Sequence, residues 1–308
     1  MKSNPNIIFL GTPDFAVASL QALVENEFRV VAVVTTPDKP AGRGLKLSES
    51  AIKHYAIKNN IPVLQPVKLK DSVFLEELKS FHADVQIVVA FRMLPEVVWA
   101  MPPLGTINLH GSLLPQYRGA APINRVIMNG ESKTGVTTFR LQQEIDTGNI
   151  LLMEEISIGP DETAGELHDR MKEIGAALVV KTIRGLMDGT LREKPQEALD
   201  PSVLKTAPKI FPADCEIDWS HSISQIHNQI RGLSPFPGAF TSLKEKAVKI
   251  FRSKPEKNEH HKLPGLMETD GKTFLRFTVA GGYVYLEELQ LEGKKRMKIV
   301  EFLRGFRA

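Results

Sequence analysis

Through its first half the chain alternates short apolar runs with stretches of helical periodicity, and this alternation limits the fold more than any other feature. The runs are rich in Val and Ile and mostly apolar on both faces, as strands buried in a parallel sheet must be. The predicted strands are Asn6–Leu10, Arg29–Thr35, Ile61–Leu64, Val85–Ala90 and Thr106–Leu109. The helical stretches between them lie near 14–25, 50–59, 71–81 and 119–129. This spacing predicts an open, doubly wound, mainly parallel α/β sheet.

The sheet pattern continues for two more strands and ends in a long helix. The strands are predicted at Gly135–Leu141 and Ile150–Ile156. Thr163 and Glu166 then have the spacing of a capping box, in which each residue satisfies a backbone donor of the other. A helix should therefore begin there, and Gly189 should end it.

The pattern changes after residue 189. Residues 190–208 combine several prolines with scattered charges, and proline stiffens a chain and removes backbone donors, so this segment is predicted to be a linker. A helix near 221–232 precedes short strands with glycine-containing turns. Those strands are Phe240–Leu243, Ala247–Phe251, Leu263–Glu268, Thr273–Thr278 and Tyr283–Leu291. Five such strands predict a small β-barrel, so the expected domains are residues 1–189 and 209–308.

Composition excludes several classes of protein. A content of 42% hydrophobic and 24% charged residues is that of a globular chain. No apolar run is long enough to cross a bilayer, and residues 1–11 have the pattern of a first strand and not of a signal peptide. Cys215 is the single cysteine, so an internal disulfide or a cysteine metal cluster is excluded. We expect a cytoplasmic protein.

Charge is spread unevenly along the chain. Residues 203–308 hold 18 Lys and Arg against 12 Asp and Glu, whereas the whole chain has a net charge of only +3. A basic C-terminal part is compatible with an anionic macromolecular partner. Charge alone favours the plainer interpretation, a solvated and slightly basic surface.

Asn108 and His110 are the first candidates for chemistry. They lie two positions apart on a predicted strand, so they face the same side, near the carboxyl end where open α/β sheets bind ligands. Amide and imidazole donors suit the oxyanion that forms during acyl transfer. Taken alone, a hydrogen-bonded structural histidine beside a turn asparagine is the commoner explanation.

Two nearby segments are also polar or unusual. Residues 142–148 lie between two predicted strands, and Asp146 within them is suited to act as a base or to orient His110, although Asp-Thr-Gly is also a common turn sequence. Residues 112–123 form a loop with small residues that enters a helix at Pro122. An ordinary connection without a ligand remains the alternative for this loop.

These segments together resemble the 10-formyltetrahydrofolate-dependent formyltransferases, and within them the methionyl-tRNA formyltransferases. The resemblance covers nearly the whole chain in matching order, is highly specific in the centre and is weaker in the C-terminal part. Its motifs are Asn108-x-His110, Ser112 to Ile123 (SLLPQYRGAAPI), Asp146 to Gly148 (DTG), Phe9 to Ala16 (FLGTPDFA), Thr36 to Gly44 (TPDKPAGRG) and Ile217 to Trp219 (IDW).

The resemblance implies a Rossmann-like formyltransferase domain followed by an OB-like barrel, and it implies roles for matching residues. Asn108, His110 and Asp146 would be the catalytic residues. Asp146 would help to remove a proton from the attacking amine, while Asn108 and His110 would stabilise the developing oxyanion as tetrahydrofolate leaves. No metal is implied. The enzyme would use 10-formyltetrahydrofolate to formylate initiator methionyl-tRNA. We expect it to be a monomer with no membrane partner.

The resemblance also implies where the folate binds. Its site would include Ser112, Leu113, Leu114 and Pro115, and its pterin pocket would be lined by residues 90–95, with Phe91 and Leu94, and by residues 139–146. The chain departs from the family in this wall. Residues 90–94 read Ala-Phe-Arg-Met-Leu, which lacks the family's glycine and is similar to the Phe-Met-Arg-Ile-Leu stretch of folate enzymes that formylate a purine precursor.

The acceptor is indicated by a loop and by the basic C-terminal part. Lys39, Arg43 and Lys46 belong to a glycine-containing loop that in the family enters the tRNA acceptor stem, where cationic side chains contact phosphates. A solvated surface loop is the alternative. The C-terminal lysines would likewise contact the nucleic-acid backbone and not the bases.

Three other functions remain as alternatives. An amino sugar nucleotide formyltransferase would need no extended basic surface. A non-catalytic RNA-binding protein leaves the joint occurrence of Asn108, His110 and Asp146 unexplained. A nicotinamide-dependent dehydrogenase is disfavoured because Leu47 stands where a dinucleotide fingerprint needs its third glycine.

Overall fold

The chain forms two compact units. The computed structural model describes residues 4–41, 46–197, 200, 202–243 and 245–306. Unit 1 comprises residues 1–118, 135–156 and 169–205, and unit 2 comprises residues 119–134, 157–168 and 206–308. Within the described residues no helix is both long and apolar enough to span a membrane.

Helices and strands alternate in the first half, and strands dominate the last third. Within the described residues the strands are β1 (Ile7–Gly11), β2 (Val30–Val34), β3 (Lys39–Ala41), β4 (Lys46–Ser48), β5 (Val63–Leu64), β6 (Val85–Val89), β7 (Thr106–His110), β8 (Arg118–Gly119), β9 (Lys133–Arg140), β10 (Ile150–Ser157), β11 (Thr206–Ala207), β12 (Ala239–Leu243), β13 (Lys246–Lys257), β14 (Met267–Thr269), β15 (Leu275–Val279), β16 (Gly282–Leu291) and β17 (Met297–Lys298). The helices are α1 (Asp14–Glu25), α2 (Ala51–Lys58), α3 (Ser72–Ser80), α4 (Glu96–Trp99), α5 (Pro122–Met128), α6 (Ala164–Met187), α7 (Pro212–Cys215), α8 (Ile223–Gly232) and α9 (Ile299–Gly305).

Unit 1 is built on a seven-stranded sheet in the order β10-β9-β7-β6-β1-β2-β5. The pairs β1–β2, β1–β6, β2–β5 and β6–β7 are parallel, and β7 pairs antiparallel with β9. The prediction of a doubly wound, mainly parallel sheet is therefore confirmed. Ile7 to Leu10 in the central strand β1 are fully buried, which explains why this strand is apolar on both faces.

Helix α6 begins and packs as its sequence predicts. The Thr163 backbone N–H donates to the Glu166 carboxylate at 2.9 Å, and the Glu166 N–H donates to the Thr163 hydroxyl at 3.3 Å, which forms the predicted capping box. Further along, Gly175 lies against the strand β7, where an added Cβ would come within 2.8 Å of the Leu109 side chain. The absence of a side chain at Gly175 thus lets α6 approach the strand that carries Asn108 and His110.

Unit 2 contains a six-stranded antiparallel sheet that runs β12-β13-β16-β15-β14, with β17 paired to β16. Trp219 packs partly buried against the core of unit 2, where the indole stacks on Phe277 with ring centroids 4.1 Å apart. The register of β13 against β16 shifts between Ile250 and Ser253, and such bulges bend a strand and increase its twist. The predicted OB-like domain is confirmed as an antiparallel half-barrel, although β14 is much shorter than the predicted strand.

Candidate active site

Strand β7 carries the two residues that were predicted to face one side together. Its central position places the carboxyl end of β7 between β6, where Val88 pairs with Asn108, and β9, where Thr137 pairs with His110. Ile107 and Leu109 are buried on the alternate positions. In the described part of the chain, the half-buried Asn108 amide has no hydrogen-bond partner, so both of its N–H groups are available to a ligand.

His110 is held through one ring nitrogen. Its Nε2 lies 2.9 Å from the carbonyl oxygen of Tyr117, and a carbonyl can only accept, so Nε2 carries the proton. The other nitrogen, Nδ1, is consequently the one that can gain or lose a proton. The edge of the imidazole also meets the Phe139 ring, with centroids 6.5 Å apart and planes at 83°. His110 is 6% exposed, which keeps this geometry away from bulk water.

Asp146 faces the free nitrogen of His110. Its Oδ2 lies 3.7 Å from His110 Nδ1, and the Asp146 side chain is 12% exposed. The residue lies in the loop between β9 and β10 with φ of +55°, a left-handed conformation that few residues other than glycine adopt readily. Gly148 permits the tight path of this loop, since a Cβ there would lie 1.6 Å from the Arg140 carbonyl oxygen. The fold therefore brings His110 and Asp146 together although they are 36 positions apart in the sequence.

The segment proposed to bind folate is tied to strand β9 by one threonine. The Thr137 hydroxyl donates to the Ser112 carbonyl oxygen at 2.6 Å and accepts from the Leu114 N–H at 3.3 Å. The Ser112 hydroxyl is fully buried and donates to the Gln116 carbonyl oxygen at 2.6 Å. Leu114 is also buried, whereas Leu113 and Pro115 are half-buried. Ligand contacts from this segment would consequently come from Leu113, Pro115 and the backbone.

The divergent segment after β6 is anchored by its arginine. Arg92 Nη1 donates to the Val67 carbonyl oxygen at 3.0 Å, and Nη2 donates to the Pro66 carbonyl oxygen. Partial burial lowers the pKa of Arg92 below its ordinary range. Leu94 is buried in the unit 1 core, and Phe91 packs half-buried against it. These apolar side chains and the donors of the local backbone are of the kind that a flat, partly polar ring requires.

The predicted RNA-binding loop is a hairpin with an anchored base. Strands β3 and β4 pair antiparallel, with Lys39 opposite Ser48 and exposed to solvent. At the base, the Asp38 carboxylate accepts hydrogen bonds from the Lys53 ammonium and, at 2.8 Å, from the Gln65 amide, and both bonds lower the pKa of Asp38. Arg43 and the side chain of Lys46 lie outside the described residues.

Three contributors to this geometry carry no sequence signal of a functional role. The Tyr117 carbonyl that fixes the His110 tautomer is a backbone group, which every residue has. Thr137 is an ordinary strand residue, and Gln196 lies 50 residues beyond Asp146, whose backbone oxygen it contacts at 2.7 Å. Only the folded chain shows that these groups meet His110, Asp146 and the 112–115 segment.

Such a site is suited to acyl transfer to an amine. A carboxylate beside a buried imidazole can accept a proton, and the same imidazole and a neighbouring amide can donate to an oxyanion. Asn108 and His110 lie towards the carboxyl end of β7, where open α/β folds bind their ligands, and the Asp146 carboxylate faces His110.

The comparison with known proteins agrees with this geometry. Residues 5–183 match the family model of formyl transferase, and residues 209–307 match that of the formyl transferase C-terminal domain. The methionyl-tRNA formyltransferase of Parabacteroides distasonis is 51% identical over 99% of this chain and 97% of its own length. That of Flavobacterium johnsoniae is 50% identical over 97% of this chain and 95% of its own.

Solved structures share the fold at lower identity. An N-formyltransferase from Helicobacter canadensis, solved with folinic acid and dTDP-3-aminofucose, is 21% identical, with a TM-score of 0.69 over 95% of this chain and all of its own. The methionyl-tRNA formyltransferase from Clostridium thermocellum is 19% identical, with a TM-score of 0.57 over 82% of this chain and 94% of its own. On the family matches and the high-identity relatives together, the chain belongs to the formyl transferase family, among the methionyl-tRNA formyltransferases.

Proposed function

We propose that this enzyme transfers the formyl group of 10-formyltetrahydrofolate to the free amino group of initiator methionyl-tRNA. The observation that carries the proposal is the near-complete coverage, at about half identity, of relatives named for this reaction. The transfer forms a bond from the amine nitrogen to the formyl carbon, breaks the bond from that carbon to N10, and moves one proton from the amine to N10. We expect a cytoplasmic monomer.

Three side chains would perform the proton and charge movements. Asp146 would accept the proton of the attacking amine, with His110 Nδ1, 3.7 Å away, as the neighbouring basic nitrogen. Because Nε2 is held by the Tyr117 carbonyl oxygen, Nδ1 is the nitrogen that must act. The free amide of Asn108 would donate to the oxygen that gains negative charge. Preorganised donors of this kind each contribute roughly 3–4 kcal/mol in other enzymes.

Folate would be held beside this trio by apolar contacts and by the backbone. Half-buried Phe91, Leu113 and Pro115 supply apolar surface, and buried Leu94 supports Phe91 from the core. The buried hydroxyl of Ser112 would act indirectly, because its bond to the Gln116 carbonyl oxygen fixes the path of the segment. When bound, the folate supplies the activated formyl group. The protein orients that group towards Asn108 and His110.

The first experiment identifies donor, reaction and acceptor together. The pure protein is incubated with 10-formyltetrahydrofolate and charged initiator methionyl-tRNA, with uncharged tRNA and an amino sugar nucleotide as controls. We expect formyl-methionyl-tRNA as the product. Formylation of the sugar amine without formyl-methionine would keep the donor and overturn the acceptor, and no transfer to any amine would overturn both.

The hairpin between β3 and β4 would contact the acceptor stem through Lys39, Arg43 and Lys46. The variant Arg43→Ala should raise the KM for methionyl-tRNA about tenfold and reduce the salt dependence of binding by about one unit of slope, as loss of one phosphate contact does. Formylation of a small amine should be unaffected. An equal loss on both acceptors would assign Arg43 to the chemistry or to the fold.

A further inference from the structure

A strap of chain runs past the candidate active site in unit 1. The strap is defined here as the described residues among 193–205. Lys194 pairs with Ile150 in strand β10 through two backbone hydrogen bonds of 2.7 and 2.9 Å. At its other end, the Lys205 carbonyl oxygen accepts from the Tyr117 N–H at 2.6 Å. The strap therefore contacts both loops that determine the His110 and Asp146 geometry.

Gln196 lies two residues after Lys194 in the strap and joins these two loops through its side chain. Its Nε2 donates to the Asp146 carbonyl oxygen at 2.7 Å and to the Gly148 carbonyl oxygen at 2.9 Å. Its Oε1 accepts from Arg118 at 3.1 Å from Nε and 2.6 Å from Nη2. The Gln196 amide thus donates two hydrogen bonds and accepts two, and all four partners lie within unit 1.

The charge of Arg118 strengthens the two bonds to the Asp146 loop. Hydrogen bonds to an ionised donor are stronger than neutral ones, and a guanidinium that binds the amide oxygen polarises the amide so that its N–H groups donate more strongly. The two acceptors are the carbonyl oxygens on either side of Thr147, so the bonds fix the turn that follows Asp146. This arrangement holds the loop in the left-handed conformation of Asp146, which the residue alone disfavours.

We propose that Gln196, oriented by Arg118, is a positioning residue that holds the Asp146 carboxylate against His110 Nδ1. The inference rests on the proposed function, because it assigns Gln196 a role only through Asp146. Gln196 lies on a segment that sequence predicts to be a linker, so its part in catalysis is invisible without the fold. A displacement of a catalytic group by about 1 Å can cost about 100-fold in rate.

The experiment compares Gln196→Met with a matched control, Gln229→Met. Gln229 in unit 2 also donates through Nε2 to two backbone carbonyl oxygens, those of Asp214 at 3.0 Å and Glu216 at 2.8 Å. We expect Gln196→Met to lower kcat by about 10- to 100-fold with KM for both substrates within about twofold. Gln229→Met should lose comparable thermal stability and keep its kcat.

A second variant and a double-mutant cycle separate positioning from a merely structural role. Gln196→Glu keeps the acceptor for Arg118 but loses both donors, so its kcat should fall as far as that of Gln196→Met. In an Asp146→Asn background, Gln196→Met should cause little further loss, because both changes act through one carboxylate.

Three results would overturn the inference: wild-type kcat in folded Gln196→Met and Gln196→Glu, an equal kcat loss in Gln229→Met, or full additivity with Asp146→Asn. Each of these comparisons requires that the wild-type protein formylates methionyl-tRNA. Absence of that activity would instead refute the proposed function, so the two failures are distinguishable.

Discussion

Two buried histidines, one in each unit, share almost the same local chemistry. His110 in unit 1 is 6% exposed and His227 in unit 2 is 7% exposed. Each has one ring nitrogen in a hydrogen bond and the other facing a carboxylate, with Nδ1 of His110 at 3.7 Å from Asp146 and Nε2 of His227 at 3.3 Å from Asp161. A buried histidine paired with an aspartate is therefore not by itself evidence of catalysis.

The surroundings of the two pairs differ. Asp146 is 12% exposed and shielded, whereas Asp161 is 76% exposed, so water screens its charge. His110 is fixed in one tautomer by a carbonyl, but His227 Nδ1 bonds at 3.0 Å to the Ser253 hydroxyl, which can donate or accept. Only the first pair lies at the carboxyl edge of a mainly parallel sheet. The comparison teaches that location and preorganisation, more than residue types, distinguish the pair that we propose to be catalytic.

The largest expected effect is a difference in kcat between variants of the two histidines. His110→Ala should lower kcat by about 100- to 10,000-fold, because it removes the imidazole nitrogen that carries a proton beside Asp146. His227→Ala should lower the free energy of unfolding and leave the kcat of the folded protein unchanged. Formylation rates and urea unfolding of both variants test this, and similar rates for the two would remove the distinction.

A smaller contrast is expected between the two carboxylates. Asp146→Asn should lower kcat by about 100-fold, since the amide keeps the shape of the carboxylate but accepts no proton. Asp161→Asn should have no effect on kcat, because the charge that it removes is exposed. Single-turnover formylation of both variants is the measurement. A wild-type rate for Asp146→Asn would exclude Asp146 from the proton transfer.

The smallest effect concerns stability and pH. Burial is the main cause that lowers the pKa of His227 below its ordinary 6.5, and Arg231 adds to it, while Asp161 opposes it. At a pH between the lowered pKa and 6.5, the unfolded chain therefore binds a proton at His227 that the folded chain does not. The stability that neutral His227 contributes is complete above pH 6.5 and is lost as the pH falls towards the lowered pKa.

Replacement by a side chain that does not titrate should reduce this dependence. We expect the free energy of unfolding of His227→Gln to fall less than that of wild type as the pH drops below 6.5. Urea unfolding at several pH values measures the difference. Identical slopes in the two proteins would show that His227 titrates in the folded state as it does in the unfolded chain.

Sequence patterns predicted the sheet of unit 1 well because its strands are buried and because helices α2 and α3 begin at side-chain caps, Ser50 and Asp71. The prediction of a helix over 71–81 is confirmed as α3, which begins where the Asp71 carboxylate accepts from the Phe74 N–H at 3.2 Å. The length of β13 was not predictable. Its second half contains Pro255 and alternating charges, and it pairs with β16 but extends beyond its pairing with β12. Proline is tolerated on such an unpaired side.

Motifs identified the candidate side chains, but their orientation depends on groups that motifs do not contain. Asn108, His110 and Asp146 are recognisable because their residue types and spacing resemble the motifs of a known family. The acceptor that sets the His110 tautomer is a main-chain oxygen, and the amide that holds the Asp146 loop comes from a proline-rich stretch. Contacts formed by backbone atoms or across long sequence separations leave no local pattern, so they had to be read from the fold.

The left-handed backbone of Asp146, with φ of +55°, has a consequence for attempts to stabilise the protein by mutation. Glycine adopts this conformation without strain, so Asp146→Gly would relieve a cost of about 1 kcal/mol while it deletes the carboxylate. A library selected only for heat resistance would therefore be drawn towards a sequence that lacks the carboxylate proposed to accept the proton. Thermostabilised versions of this enzyme consequently need an activity screen in every round, because stability and turnover favour different residues at one site.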